Sequence, residues 1–556
     1  MKYAADNLPE DSEQLKHIVL HAQRMVARFE QDKTQLEQRS ARLEKSNLRL
    51  ERHRIQLEKA NARLVLQNAN LIEQLLLKRH SLFGSRSEKT PSQGELFNEA
   101  ESLHASGTEA DAANVAAAES ASSSPAAPRR APGGRKPLPA ELPRIDRIHA
   151  LPEHELICIC GCQKQVIGED VSEQLDIIPL QIRVIRHVRP RYACACGESA
   201  PVTALLPPQP IPKSNAAPGL LAMLLTTKYV DGTPLHRFEK VLSRHGVEIP
   251  RQTLARWVIQ GSAVLQPLVN LMRDQLGAHD VIHCDETVVQ VLKEPDKSAQ
   301  SQSYMWVQSG GPPDRPVVLF DYDPSRSGRV ATRLLEGFSG YLMSDGYDGY
   351  NAAAAAPGVV HLACWAHARR RFIEAQRVQP RGKTGKADVG VNYIARLYGI
   401  EKTLSGLPPE ERTRIRQEKG SVVLGELRAW LDKDLAGVPP QSKLGEAMRY
   451  LDKYWTRLVR YTERGDLPLD NNRAENAIRP FVIGRKNWLF ADTPKGASAS
   501  AVIYSLIETA KGNGHEPYAY LRQVLTALPS ASTLEAVEQL LPWNLNASEL
   551  MDNALR

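Results

Sequence analysis

Val281-Ile282-His283-Cys284-Asp285-Glu286-Thr287-Val288 is an apolar run that ends in two adjacent carboxylates and a threonine. It reads as a buried strand delivering acids to its carboxyl end, where open α/β sheets place their chemistry. A single strand-end aspartate is weak grounds for a site. Two acidic stretches downstream supply partners: Asp345-Gly346-Tyr347-Asp348, and Asp470-Asn471-Asn472-Arg473-Ala474-Glu475.

The intervening residues supply a sheet. Segments 303–308, 316–322, 340–344 and 359–363 are short apolar or aromatic runs bounded by Gly, Pro and Asp, which predicts strands. Residues 327–335 and those following Cys364 read as helices. The order is then strand, strand, strand, helix, strand, helix, strand, helix. That is a ribonuclease-H-like pattern with acids leaving the first and fourth strands, and neighbouring central strands would bring Asp285 and Asp345 together. The Asp470 stretch predicts a helix capped by Asp470, Asn471 or Asn472, ended by Pro480, with Glu475 aimed at the same edge. Ala474, Ala477 and Ile478 would pack that helix on the sheet. Three carboxylates can hold two Mg²⁺ ions, or Mn²⁺, about 4 Å apart for in-line displacement at phosphorus. By the alternation of the pleat, Glu286 and Cys284 point away from Asp285. Cys284 therefore reads as packed core, and Glu286, Asp348 and Asp470 read as caps or surface charges. Arg479, Arg485 and Lys486 lie where a phosphate backbone would pass.

The chain has 556 residues, room for several domains. Lys+Arg is 71 against Asp+Glu 64, a net charge of +7 that permits nucleic-acid binding without requiring it. No apolar run approaches the roughly 18 residues of a membrane span. The charged, polar N-terminus does not read as a signal peptide. The expectation is a soluble cytoplasmic protein with no membrane partner.

Five of the seven cysteines fall between Cys158 and Cys196, which argues for metal over disulfides. Cys158-Ile159-Cys160-Gly161-Cys162 and Cys194-Ala195-Cys196 would be the knuckles of a zinc ribbon, joined by a strand-like stretch over 182–192. The spacings are tighter than Cys-x-x-Cys, and there is one cysteine too many. Cys158, Cys194 and Cys196 are the firmer Zn²⁺ ligands; the fourth is Cys160 or Cys162, with Cys162 taken. A ribbon that has lost its metal is the alternative. Arg183, Arg186, His187, Arg189 and Arg191 form a basic strip suited to phosphate.

Upstream, a seven-residue ladder runs Leu15, Ala22, Phe29, Leu36, Leu43, Leu50, Leu57, Leu64, Leu71, without Pro or Gly. Such a heptad predicts a self-associating coiled coil over 11–79, the alternative being a long helix packed on its own domain. Residues 80–145 carry a basic motif around Gly84, an Ala/Ser/Glu-rich stretch over 90–128 that reads as a disordered linker, and a basic Gly-Arg-Lys-Pro run suited to a minor groove or to a plain tether. Beyond a ribbon-like module at 146–205, residues 206–275 are helical. Thr233-Pro234-Leu235 opens one helix, His245-Gly246 breaks it, and Arg251-Gln252-Thr253 begins another. That is a helix-turn-helix-like pattern offering Arg251, Gln252, Thr253 and Arg256 to a major groove, or else an ordinary helical hairpin. A catalytic domain follows at 276–510 with a helical insertion near 376–466, then a C-terminal helical element at 511–556. The expected fold is multidomain α+β.

The Leu82-Phe83-Gly84-Ser85-Arg86-Ser87-Glu88-Lys89 stretch, the cysteine ribbon, Asp285-Glu286-Thr287, Asp345-Gly346-Tyr347, Asn471-Asn472-Arg473-Ala474-Glu475 and Gly484-Arg485-Lys486-Asn487-Trp488 together resemble transposases of the insertion sequence 66 type. Residues 509–520 and Leu541-Pro542-Trp543-Asn544 are similar to that family's C-terminal element. Val288 departs from the pattern, standing where Pro is expected. The resemblance implies a metal-dependent transposase with an Asp285–Asp345–Glu475 triad. Such an enzyme binds double-stranded DNA at terminal inverted repeats, cleaves a strand and joins it to target DNA. It also implies accessory proteins of the same element. A catalytically inactive DNA-binding regulator and a nuclease that cuts without joining are the alternatives.

Overall fold

The computed structural model describes residues 11–83, 182–188, 191–192, 202–203, 206–379 and 384–555. The five ribbon cysteines and the basic linker lie outside the described residues. The chain divides into two compact units. The first holds the described residues of 1–99, 273–288 and 302–479, and the second those of 100–272, 289–301 and 480–556.

The first unit is built on a five-stranded mixed sheet. Its strands are β3 (Val281–Gln290), β4 (Gln302–Gly310), β5 (Val317–Asp323), β6 (Gly340–Ser344) and β7 (Val359–Ala363); β1 and β2 are the short strands Arg191–Tyr192 and Val202–Thr203 of the second unit. The strand order is β5-β4-β3-β6-β7. β4 and β5 are antiparallel, whereas β6 runs parallel to both β3 and β7. The helix Gly328–Leu334 links β5 to β6, the short helix Asn351–Ala354 precedes β7, and the helix Trp365–Arg377 follows it. The parallel strands β6 and β7 are five-residue runs whose last three residues are buried, as a parallel sheet covered on its faces requires.

Two readings of the sequence need correction here. β3 does not stop at its acids: it continues to Gln290, with Asp285 and Glu286 mid-strand. The acids still lie at an edge, because their parallel neighbour β6 ends at Ser344. The stretch over 182–192 is also less strand-like than its residues suggest. Residues 182–188 carry no strand, and only Arg191–Tyr192 pairs, antiparallel to Val202–Thr203.

Between β7 and the Glu475 helix lie the helices Lys386–Thr403, Pro409–Ile415, Ser421–Asp434 and Lys443–Val459. Their core (Leu397, Leu427, Leu451, Leu458) is continuous with Leu362, Trp365 and Phe372 of the sheet layer. Arg416 is 1% exposed and sits in a π-helical turn, Arg416–Gly420. It pairs bidentately with Glu401 at 2.9 and 2.7 Å and donates to the carbonyls of Tyr461 and Arg464. The N-terminal helix Ser12–Phe83 spans 72 residues and leaves its ladder in water, with Phe29, Leu36, Leu43, Leu50, Leu57, Leu64 and Leu71 all more than half exposed. Near its end Asn70 bonds Gln441, and Glu73 accepts from the Lys443 N–H.

In the second unit the helix Pro218–Tyr229 packs Leu221 and Leu225 against the helix Pro517–Ala527, which buries Tyr520, Leu521 and Val524. Helices Leu235–Arg244 and Arg251–Gly277 meet through a turn at Gly246 (φ +77°), and the Arg251 N–H donates to Glu239 across it. Leu254, Trp257 and Val258 are buried beneath, while Arg251, Gln252 and Arg256 face solvent. Among the described residues, no helix is long and apolar enough to cross a membrane.

Breaking the buried pair should unsettle the helical insertion. Arg416→Ala strands Glu401 and two carbonyls, so we expect a loss of about 3–5 kcal/mol in urea unfolding; a loss under about 1 kcal/mol would contradict this reading of the pair.

Candidate active site

The site grows from the parallel pairing of β3 with β6. The printed register runs Val281↔Tyr341, Ile282↔Leu342, His283↔Met343. Carried two residues further, it sets Asp285 opposite Asp345. Each aspartate is held by local backbone: the Glu286 N–H donates to Asp285 Oδ1 at 2.8 Å, and the Tyr347 N–H to Asp345 Oδ1 at 2.7 Å. The turn after Asp345 requires Gly346 (φ +89°), where a Cβ would also crowd Tyr450 and Tyr454 at 3.3 and 3.2 Å. Those two tyrosines grip the turn from the inserted helix Lys443–Val459. Tyr450 Oη donates to the Asp345 carbonyl at 2.9 Å and Tyr454 Oη to that of Gly346 at 2.6 Å.

Glu475 arrives on the helix Asn472–Trp488 and is 2% exposed. Asn471 caps that helix: its carbonyl takes the Glu475 N–H at 3.1 Å. Its side chain, fully buried, donates through Nδ2 to the Cys284 carbonyl at 2.9 Å and meets His283 Nδ1 at 3.1 Å through Oδ1. With Nδ2 donating, Oδ1 must accept, so His283 carries its proton on Nδ1. The Asn471 N–H points at Cys364 Sγ, 3.2 Å away. One residue thus ties the first turn of the helix to β3 and to the end of β7. Asp470 caps as well, accepting from the Asn472 N–H at 3.1 Å and from Tyr398 Oη at 2.8 Å. Ala474 and Ile478 are buried beneath the helix.

Pro480 does not end this helix, which continues to Trp488. Proline removes one helical N–H and crowds the preceding turn. Buried Phe481 and Val482 hold the helix on the far side of it.

Glu286 departs furthest from expectation. It is not a surface charge: its side chain is 2% exposed, paired with Arg326 at 2.6 Å and taking a 2.6 Å hydrogen bond from Tyr350 Oη. Arg326 lies over the Tyr347 ring at 4.0 Å, so the pair braces the turn that carries Asp345. Asp348 is exposed and paired with Lys453, as a surface charge should be. Cys284 is buried.

Burial pushes the Asp285 carboxyl well up, and Glu286, Asp345 and Glu475 add repulsion. Burial also raises Asp345, against the Tyr347 N–H and the cations Arg326, Arg371 and Arg370. His367 Nδ1 and Arg370 each lie 3.5 Å from a Glu475 oxygen. Burial holds His283, and likewise His367, down to about 3, so both rings are neutral. A cluster of mutually repelling oxygen ligands, Glu475 buried and the two aspartates half-buried, fits a hard divalent cation such as Mg²⁺ or Mn²⁺. Cys364, His367 and Glu475 also bring one ligand atom each within 4.8 Å of one another. The buried Cys364 thiol is pushed well up, which disfavours the thiolate a metal would need.

Of the expected DNA contacts, Arg479 belongs to the first unit, and Arg251, Gln252, Arg256, Arg485 and Lys486 to the second. The bracing residues Glu286, Arg326, Tyr350 and Tyr450 were missed. Only the acid beside Asp285 and the tyrosines after Asp345 hinted at them.

Residues 213–499 match the Transposase IS66 family, and residues 505–543 the IS66 C-terminal element. Residues 155–197 match the zinc-finger binding domain of transposase IS66, and residues 70–147 a segment described as Transposase C of IS166 homeodomain. The chain belongs to the IS66 transposase family. Among its relatives, the uncharacterized protein y4qI of Sinorhizobium fredii is 34% identical over 75% of this chain and 78% of its own length. The uncharacterized protein y4hP of the same organism is 32% identical over 84% of this chain and 86% of its own.

Asn471→Ala keeps the backbone carbonyl that starts the helix but strands the buried Cys284 carbonyl and His283 Nδ1, so unfolding should cost about 2–3 kcal/mol less; an unchanged stability would contradict the role given to Asn471. Asp285→Asn tests the repulsion. A carboxyl whose folded pKa is raised binds its proton more tightly in the native state. Its favourable contribution is full below the ordinary aspartate value of 3.8 and is lost as pH rises through the folded value. Without divalent cations the variant should therefore be more stable than the parent at neutral pH, with the gap closing as pH falls toward 3.8; a parent more stable at pH 7 would contradict it.

Proposed function

We propose that this chain is the transposase of an insertion sequence, binding the terminal inverted repeats of its element and catalysing strand cleavage and strand transfer. The observation that carries the reading is the β3–β6 register, which sets Asp285 opposite Asp345 while an Asn471-capped helix delivers Glu475. On this reading the sheet and its helices, 276–510 with the insertion near 376–466, form a ribonuclease-H-like catalytic domain. Asp285, Asp345 and Glu475 would hold Mg²⁺ or Mn²⁺, which would polarise the attacking and leaving oxygens. Water attacks phosphorus, the P–O3′ bond breaks, and a 3′-hydroxyl and a 5′-phosphate remain. That hydroxyl then attacks a target phosphodiester and expels its 3′-oxygen. The chain's own groups orient these steps. Tyr450 and Tyr454 fix the Asp345 turn, Glu286–Arg326 braces it, and Asn471 fixes the reach of Glu475.

The remaining assignments are of the same kind. Arg251, Gln252 and Arg256 would read the end DNA, and Arg479, Arg485 and Lys486 would follow phosphates. Cys158, Cys162, Cys194 and Cys196 would hold Zn²⁺ in a module at 146–205. The exposed ladder of the long helix would pair two copies, one for each element end. Because all three acids converge in the first unit, we favour this reading over a DNA-binding regulator without chemistry.

Glu475→Gln should keep end binding in a mobility-shift assay and lose both cleavage and joining with Mg²⁺. Normal joining by the variant would overturn the triad. A wild-type protein that binds ends but yields no cut product would favour the regulator, and cut ends without joined product the nuclease. Removal of residues 11–79 should drop the sedimentation mass to that of a monomer; an unchanged mass would remove the pairing claim.

A further inference from the structure

Within the first unit, the helix Trp365–Arg377 turns one face toward the acids. Ala368, Arg369, Phe372 and Ala375 are buried on its inner side. His367, Arg370 and Arg371, spaced three and four apart, share another face. His367 and Arg370 both reach Glu475. Arg371 goes elsewhere: its guanidinium lies over the Tyr450 ring, 4.6 Å from the centroid. Tyr450 is itself held. Its hydroxyl donates to the Asp345 carbonyl at 2.9 Å, and its ring packs on that of Tyr454 at 4.8 Å. One tyrosine side chain therefore links Arg371 to the turn that carries Asp345.

The other cations around this turn are engaged. Arg326 pairs with Glu286 at 2.6 Å, Lys453 with Asp348 at 3.0 Å, and Arg370 with Glu475 at 3.5 Å. Arg371 is exposed and, among the described residues, makes no ion pair or hydrogen bond. Its charge is nonetheless felt at Asp345, where it counters the rise that burial imposes. A guanidinium stacked on a ring uses its face and keeps the N–H donors of its edge for an oxyanion. The stack also fixes the side chain beforehand, so less freedom is lost when such a ligand binds. A pre-set cation beside three acids suits an anion that must come to those acids, and a phosphodiester is such an anion.

Resting on the transposase reading above, we propose that Arg371 is a further catalytic residue, a clamp that Tyr450 holds ready to grip a non-bridging oxygen of the scissile phosphate. As phosphorus takes its fifth oxygen, negative charge grows on the non-bridging oxygens. A fixed guanidinium meets that charge without having to reorganise. The same stack explains why the position suits arginine better than lysine, whose ammonium is a point charge without a planar fork.

The test uses full-length protein, the variant Arg371→Ala, and duplexes carrying the element's terminal repeat. The scissile phosphate is either ordinary or a single phosphorothioate diastereomer, with sulfur in one non-bridging position or the other. Cleavage is followed with Mg²⁺ at saturating protein, so that binding and chemistry are read separately. Arg371→Ala should melt within about 4 °C of the parent, since it removes only an exposed ring contact. It should still shift end DNA, because one phosphate contact among many is lost. It should cut ordinary ends about a hundredfold more slowly. Sulfur accepts hydrogen bonds poorly, so the gap between parent and variant should shrink on one diastereomer and persist on the other. Equal cutting of ordinary ends by parent and variant overturns the clamp. So does the same gap on all three substrates, which would assign Arg371 to the shape of the Asp345 turn alone. A parent that cuts none of these ends would fail the transposase reading itself, and the clamp with it.

Discussion

Asn471 holds together what the rest of this site depends on. Its carbonyl starts the Glu475 helix, its amide clasps β3 at Cys284 and His283, and its N–H meets Cys364 at the end of β7. The need for so firm a clasp is electrostatic. Asp285 lies half-buried among three other acids, Glu286, Asp345 and Glu475, and each repels it. Hydrophobic packing is non-directional and cannot hold like charges in register. Hydrogen bonds from buried, neutral groups can, and a neutral His283 adds no charge of its own. The surrounding cations Arg326, Arg370 and Arg371 offset part of the repulsion from the outside.

The inserted helices share in this arrangement. Tyr450 and Tyr454 reach from Lys443–Val459 to the two carbonyls of the Asp345 turn, and buried Arg416 locks the insertion's own turns. The insertion packs on Leu362 and Trp365, beside the Cys364 that receives the Asn471 N–H. Damage to the insertion would therefore be felt at the acids, some hundred residues away in sequence, through short chains of contacts.

Much of the sheet was legible because its signals are local. β6 and β7 fall on the segments 340–344 and 359–363 marked by apolar runs between turn residues, and the capping residues at 470–472 announce the Glu475 helix. What was not legible depends on distant partners. The extension of β3 past its acids runs to Gln290, whose carbonyl accepts from the distant Ala491 N–H, so the apolar run alone could not show it. The passage of the helix through Pro480 depends on burial of Phe481 and Val482 beyond it. Glu286 read as a surface charge because Arg326 and Tyr350, its partners, lie 40 and 64 residues further along. Tyr450 and Tyr454 had no local signal at all, since a tyrosine on an amphipathic helix looks like core until its hydroxyl is seen to meet a carbonyl.

The central claim is that Asp285, Asp345 and Glu475 form one divalent-cation site. It is tested most directly by a crystal of the full-length protein soaked in Mn²⁺, with anomalous scattering recorded at the manganese edge. The account predicts density between the carboxylates of Asp285 and Asp345, with Glu475 as a ligand, and its loss in Asp285→Asn. Density confined to Cys364 and His367, or none among the acids at saturating Mn²⁺, would contradict it.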